Sequence, residues 1–238
     1  MTGMAIIEVR GLAKRFGAVE AVSDLSFDVA RGSVTGFLGA NGAGKTTTLR
    51  ILLGLARADA GTATINGHVY RDLAEPLHQV GAVLEVSFHP GRTGRNHLRI
   101  QALAASADPS RIDDVLDLVQ LTDAADRRVG GYSLGMRQRL GLAGALLADP
   151  EILILDEPAN GLDPEGVRWL RDLLRGYAAE GGTVLVSSHI LAEVAQTVDH
   201  VIILDRGRLV RQASLAELTA SGDLEDAYFG LTQRESFR

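Results

Sequence analysis

The chain has 238 residues, 46% of them apolar and 23% charged, enough to bury the core of one large domain or of a domain carrying an inserted subdomain. A formal net charge of −6, with no basic run or basic–aromatic stripe, argues against a nucleic-acid surface. The lack of cysteine excludes disulfides, thiolate metal sites and cysteine nucleophiles, and no stretch approaches the roughly 18 apolar residues of a membrane helix.

The opening residues, MTGMAIIEVR, lack the basic segment and long apolar run of a secretory signal, and the missing cysteines fit a reducing cytosol. Alternation at 6–9 and again at 21–29, broken by KRFG at 14–17, predicts an antiparallel strand pair. The apolar segment at 34–38 reads as a buried strand, and 47–54 has the spacing of a helix start. Between them, residues 39–46 read GANGAGKT, a complete G-x-x-x-x-G-K-[ST] phosphate loop in its strand–loop–helix setting. Gly39, Gly42 and Gly44 let the backbone turn sharply and aim several N–H groups at one anion, where the following helix N-terminus adds a favourable field. Lys45 is predicted to pair with the β- and γ-phosphates and the Thr46 hydroxyl to ligate Mg²⁺. Asn41, Ala43 and Thr47 complete the predicted nucleotide contacts. The loop implies ATP or GTP.

Further along, 63–65 ends at Asn66-Gly67, a pair suited to the φ > 0 turn of a hairpin, and 80–84 is a short apolar strand. From 93 to about 148 the pattern is helical, with helices over 96–106, 110–119 and 135–147, the middle one capped by Ser110 with Asp113. Apolar strands at 152–155, 183–186 and 201–204 then alternate with helices at 164–179 and 190–197, which predicts a parallel sheet covered on both faces. An edge strand over 208–213, a short helix over 215–219 and a weakly ordered stretch over 223–238 close the chain.

The strand ILIL at 152–155 delivers two carboxylates, Asp156 and Glu157, to the edge of the sheet where ligands bind. Asp156 suits Mg²⁺, directly or through water, and Glu157 suits polarisation of an attacking water. Trp169 reads as core packing, and the Asp113-Asp114 and Arg127-Arg128 pairs as solvated surface.

With these residues in place, nearly the whole chain resembles the ATP-binding-cassette ATPases. YSLGMRQR at 132–139 resembles their LSGGQ signature and lies between the phosphate loop and ILILDEP, as the family requires. NGLDP at 160–164 resembles the D-loop, SSH at 187–189 the histidine switch, and Phe16 matches the aromatic position that stacks on adenine. The resemblance assigns Ser133 and Gly135 to a nucleotide held by the other protomer and His189 to the γ-phosphate. Two departures stand out. Leu134 and Met136 occupy signature positions that are usually Gly and Gln, and Glu85 occupies the Q-loop position, usually glutamine. Glu85, followed by FHP at 88–90, resembles the branch serving drug, bacteriocin and lantibiotic exporters; a carboxylate at this position can still ligate Mg²⁺ but adds negative charge near the γ-phosphate unless the metal offsets it, and Glu85 is expected to reach Mg²⁺ and couple its loop to the membrane partner.

The fold implied is α/β: a P-loop NTPase with a mainly parallel core sheet, an N-terminal antiparallel β subdomain and an inserted helical signature subdomain at about 90–150. The ATPase domain covers 5–222 and a tail 223–238. The implied activity is ATP hydrolysis with ATP and Mg²⁺, powering export of a drug, peptide or lipid-like substrate through a separate membrane subunit. That permease would dock on the stretch from Glu85 to Leu98, with Phe88, His89 and Pro90 in the docking loop. The second implied partner is another protomer, head to tail, so the chain would sit at the cytoplasmic face of the membrane. An importer ATPase would favour glutamine at position 85. A soluble assembly or DNA-maintenance ATPase is the other active alternative, although no long coiled-coil insertion separates loop from signature. A regulatory module without turnover is opposed by the Asp156-Glu157 pair.

Overall fold

The computed structural model describes residues 5–220 and 222–235. Two sheets form. Strands β1 (Ala5–Phe16), β2 (Val19–Ala30) and β4 (Ala60–Ile65) make an antiparallel sheet in the order β2-β1-β4. Strands β3 (Val34–Leu38), β5 (Val80–Val83), β6 (Ile152–Asp156), β7 (Thr183–Ser188), β8 (His200–Asp205) and β9 (Arg208–Ser214) make the second, in the order β5-β6-β7-β3-β8-β9. All its neighbours are parallel except β9, which returns antiparallel along β8.

Strict alternation of side chains along a strand explains why the central sheet is apolar on both faces. Leu153 and Leu155 of β6, Val184 and Val186 of β7, and Val201 and Ile203 of β8 enter one hydrophobic cluster. Their alternates, Ile152, Ile154, Leu185, Ile202 and Leu204, enter the other. Helix α1 (Lys45–Leu52) lies in this second cluster, where Leu49 and Leu52 pack with Phe27 and Phe37 between the two sheets. Truncating the fully buried Leu49 to alanine would cost about 2–5 kcal/mol.

The first cluster also takes in the helical block, α3 (Gly94–Ala105), α4 (Arg111–Leu118) and α5 (Leu134–Leu146), through Leu98, Ala102, Val115, Leu116, Leu140 and Ala143. Helix α2 (Pro76–Gln79) leads into β5, and α6 (Pro164–Ala179) follows β6. Helices α7 (Leu191–Val194), α8 (Leu215–Leu218) and α9 (Leu224–Glu235) complete the chain.

Three local expectations are corrected. Asn66-Gly67 does turn, with φ of 50° and 78°, but pairing beyond it is limited to an isolated bridge between Ile65 and His68. Strand β4 instead runs beside β1, because burying Ile65 and Ala63 in the second cluster requires that neighbour. Ser110 makes no side-chain cap on α4; its own N–H is bound by the Asp108 carboxylate at 2.8 Å. The stretch expected to be weakly ordered contains α9, anchored by buried Leu224 with Tyr228 and Leu231 against the first cluster. Residues 236–238 of that expectation lie outside the described residues.

Candidate functional site

Parallel register brings the ends of β3, β6 and β7 to one edge, with Leu38 opposite Ser188 and Asp156 opposite Ser187. The phosphate loop leaves β3 at that edge. Gly44 adopts φ 100° at the start of α1, and a Cβ there would lie 2.5 Å from the Ala21 carbonyl oxygen. A Cβ on Gly39 would lie 2.7 Å from the Leu204 carbonyl, so only glycine lets the loop pass so close to β8. Asn41, Gly42, Ala43, Gly44, Lys45, Thr46 and Thr47 line a cleft of about 340 Å³ with Val19, Glu20, Ala21 and Glu157.

The charged groups converge on this edge. The Lys45 ammonium, almost fully buried, donates to the Gly39 carbonyl at 2.6 Å and lies 3.3 Å from Glu157 Oε1. The other Glu157 oxygen lies 2.8 Å from His189 Nδ1. Asp156, one residue earlier, accepts the Thr46 hydroxyl at 2.5 Å and, on its second oxygen, the Ser187 hydroxyl. Glu157 has φ 49°, an uncommon conformation for a residue with a side chain, and this turn sends adjacent carboxylates to different partners. Ser187 fixes the turn, because its hydroxyl also accepts the Glu157 N–H at 2.9 Å. Nearby, burial raises the Glu193 carboxyl above its usual range; the His189 ring opposes that shift and the Glu157 charge adds to it.

The structure thus gathers Lys45, Thr46, Asp156, Glu157 and His189. Glu85 lines an adjoining cleft of about 520 Å³ together with Thr46 and Asp156. Hydroxyl and carboxylate oxygens are the donors that a small hard cation such as Mg²⁺ takes, so Thr46, Asp156 and Glu85 fit that ion chemically. Among the described residues no group of three or more His, Asp or Glu side chains that could hold a metal ion is found, so the fit rests on two carboxylates and one hydroxyl.

Ser133 and Gly135 lie elsewhere. Ser133 caps α5 by accepting the Met136 N–H at 3.2 Å, and a Cβ on Gly135 would lie 3.0 Å from the Gly161 carbonyl. Phe16 is 54% exposed at the end of β1, with the Lys14 ammonium 5.3 Å from its ring centroid, and is not among the residues lining the phosphate-loop cleft. Ser187 is the site residue for which sequence reading gave no separate role. Its signal was present in SSH, but its function depends on β7 lying beside β6, a tertiary fact.

The "ABC transporter" family model matches residues 22–160. The "Bacitracin transport ATP-binding protein BcrA" of Bacillus licheniformis is 44% identical over 211 residues, covering 87% of this chain and 69% of that protein. The "Nod factor export ATP-binding protein I" of Burkholderia lata is 38% identical over 217 residues, covering 89% and 71%. A solved "ATP binding subunit of ABC transporter" superposes with a TM-score of 0.86 at 29% identity, over 95% of this chain and 99% of that one. With a phosphate loop and an acidic strand end on one sheet edge, and this degree of likeness, the chain belongs to the ABC transporter family as an ATP-binding cassette ATPase.

Proposed function

We propose that this cassette hydrolyses ATP as one half of a head-to-tail dimer and thereby powers export through a separate membrane subunit. The observation that carries the hydrolytic part is the Glu157 carboxylate held between Lys45 at 3.3 Å and His189 at 2.8 Å. A carboxylate at the edge of a phosphate cleft, oriented from both sides, is suited to take a proton from an attacking water. Lys45 and the loop N–H groups then meet the phosphate charge as it develops, and His189 steadies the γ-phosphate from the end of β7. Held by Thr46, Asp156 and Glu85, Mg²⁺ would offset phosphate charge.

Dimerisation is supported by the position of the signature helix. Ser133 and Gly135 start α5 against Gly161 of the same chain, away from the Lys45 cleft, so a nucleotide in that cleft meets a signature only if another protomer supplies it. ATP between the two halves would hold them together, and loss of the γ-phosphate would release them, a two-state element biased by ligand charge.

Export is supported by a similar protein named for Nod factor export and by Glu85 in the Q-loop position. No helix among the described residues is long and apolar enough to cross a membrane, so the crossing would belong to a partner docked near residues 85–98 at the cytoplasmic face. Phosphate release by the purified chain with ATP and Mg²⁺, followed by co-purification of a membrane protein from solubilised membranes, tests both parts. No phosphate release from well-folded dimer overturns the hydrolytic reading. Phosphate release with no membrane protein co-purifying overturns the transport reading.

A further inference from the structure

Leu134 opens α5 immediately after its cap, Ser133, and Gly161 lies in the D-loop between Glu157 and α6. The two meet directly. Gly161 has φ 80°, and a Cβ there would overlap the Leu134 Cγ and Cδ2 atoms and lie 3.1 Å from the Leu134 Cβ. One residue further along α5, a Cβ on Gly135 would lie 3.0 Å from the Gly161 carbonyl oxygen and 3.5 Å from Leu162 Cδ2. The first turn of the signature helix is therefore seated on the D-loop of its own chain. A left-handed backbone with no room for a side chain is a demand that only glycine meets at 161. Leu134 stays 54% exposed and belongs to neither hydrophobic cluster, so burial in the core does not account for this seat.

The D-loop is held at both ends. The Asn160 N–H donates to the Glu157 carbonyl at 3.1 Å and the Leu162 N–H to the Ala159 carbonyl at 3.1 Å, two overlapping turns of which the second contains Gly161. Beyond them the Asp163 carboxylate accepts the Gly166 N–H at 2.8 Å and fixes the start of α6. Before them the Glu157 N–H is held by the Ser187 hydroxyl at 2.9 Å. With the far end fixed on α6, a displacement of Gly161 is passed back through the two turns to the Glu157 peptide.

We propose that Leu134 is a positioning residue for hydrolysis: seated on Gly161, it keeps the D-loop, and through it the Glu157 carboxylate, in register with the start of α5. This rests on the reading of Glu157 as the base and of Ser133 as a group that meets the other protomer's nucleotide. Engagement of that nucleotide by Ser133 is then felt at Glu157 of the same protomer through one apolar contact. The leucine that replaces the usual signature glycine has its counterpart in the glycine at 161.

The test measures melting temperature, the Kd for ATP, and the kcat and KM of ATP hydrolysis in the full chain carrying Leu134→Ala. Because the side chain is half exposed and lies outside the Lys45 cleft, melting temperature, Kd and KM should stay at wild-type values. The expected loss is in kcat, about tenfold, within the roughly 100-fold that a misplacement of about 1 Å costs. Leu134→Met, of similar volume, should keep wild-type kcat. Gly161→Ala should lower kcat further, and adding Leu134→Ala to it should restore part of the rate, because the new methyl group no longer meets the leucine tip. Wild-type kcat in Leu134→Ala overturns the proposal, as does a raised Kd with kcat unchanged, or a loss in Leu134→Met as large as in Leu134→Ala. A weaker ATP-dependent dimer when Leu134→Ala is added to Glu157→Gln also overturns it, because the side chain would then act on the partner protomer. Absence of hydrolysis in the wild-type chain itself would instead overturn the hydrolytic reading, so the two failures are distinguishable.

Discussion

Glu157 Oε2 and His189 Nδ1 meet at 2.8 Å across the ends of β6 and β7, while the other Glu157 oxygen faces Lys45. Lys45 and His189, far apart in sequence, thus share one carboxylate, and among the described residues no other basic side chain lies within ion-pair distance of it. Glu157→Gln keeps the size and one acceptor oxygen but loses the charge and the basicity. We expect it to bind ATP, to turn over at least 100-fold more slowly, and to accumulate as a dimer, as general-base loss of 10²–10⁴ implies. Phosphate release and size-exclusion chromatography with ATP check it; wild-type turnover rules out Glu157 as the base.

Lys45→Ala removes the group that both braces the loop through Gly39 and offsets Glu157. Charge-assisted hydrogen bonds are worth about 1.5–3 kcal/mol, so the Kd for ATP should rise roughly 10- to 150-fold. The expected loss includes the effect of leaving Glu157 without its cation beside an incoming polyphosphate. Titration calorimetry measures it, and an unaltered Kd would remove Lys45 from the cradle.

Glu85 shares its cleft with Thr46 and Asp156, and also lines the groove below Phe88 and His97. That double position makes it the residue best placed to relate the metal side of the site to the docking loop. Glu85→Gln should retain a measurable ATPase rate but alter its dependence on Mg²⁺ concentration, and should weaken transport more than hydrolysis. Equal ATPase activity and equal transport in Glu85→Ala would leave the residue with neither role.

The parts legible in sequence were those encoded by contiguous residues. The phosphate loop is one such run, and Gly39 and Gly44 are glycines because a Cβ would strike Leu204 and Ala21. Strands β6, β7 and β8 were legible because both faces are buried, leaving unbroken apolar runs. What failed depended on partners distant in sequence. Asn66-Gly67 announces a turn but cannot say that β4 will pair with β1, and the 223–238 stretch gives no local sign that Leu224 finds a buried seat. Ser110 illustrates a different limit, since Asp108 two residues earlier takes the N–H that a cap would have organised.

Trp169 packs on the first cluster, as its place in the sequence predicts, and its indole also joins the helical block to α6. The ring NH donates to the Leu118 carbonyl at 3.2 Å, at the end of α4, and the Arg139 guanidinium of α5 stacks 4.2 Å from the ring centroid. Arg139 in turn donates to the Val119 carbonyl at 3.0 Å and to Gln120 at 2.7 Å. The cation–aromatic contact therefore ties α5 to α6, and the hydrogen bonds to Leu118 and Val119 add the end of α4 to the same joint. Such contacts contribute about 0.5–2 kcal/mol, and the added hydrogen bonds place the cost of Arg139→Ala near the upper end. Arg139→Lys should restore little, since an ammonium cannot stack its plane on the indole and reach two acceptors at once. Because the chain has a single tryptophan, its emission reports this joint alone. We expect a red shift and a urea midpoint lowered to match that loss of stability in Arg139→Ala; unchanged emission and midpoint would mean that the stacked pair does not hold the joint in solution.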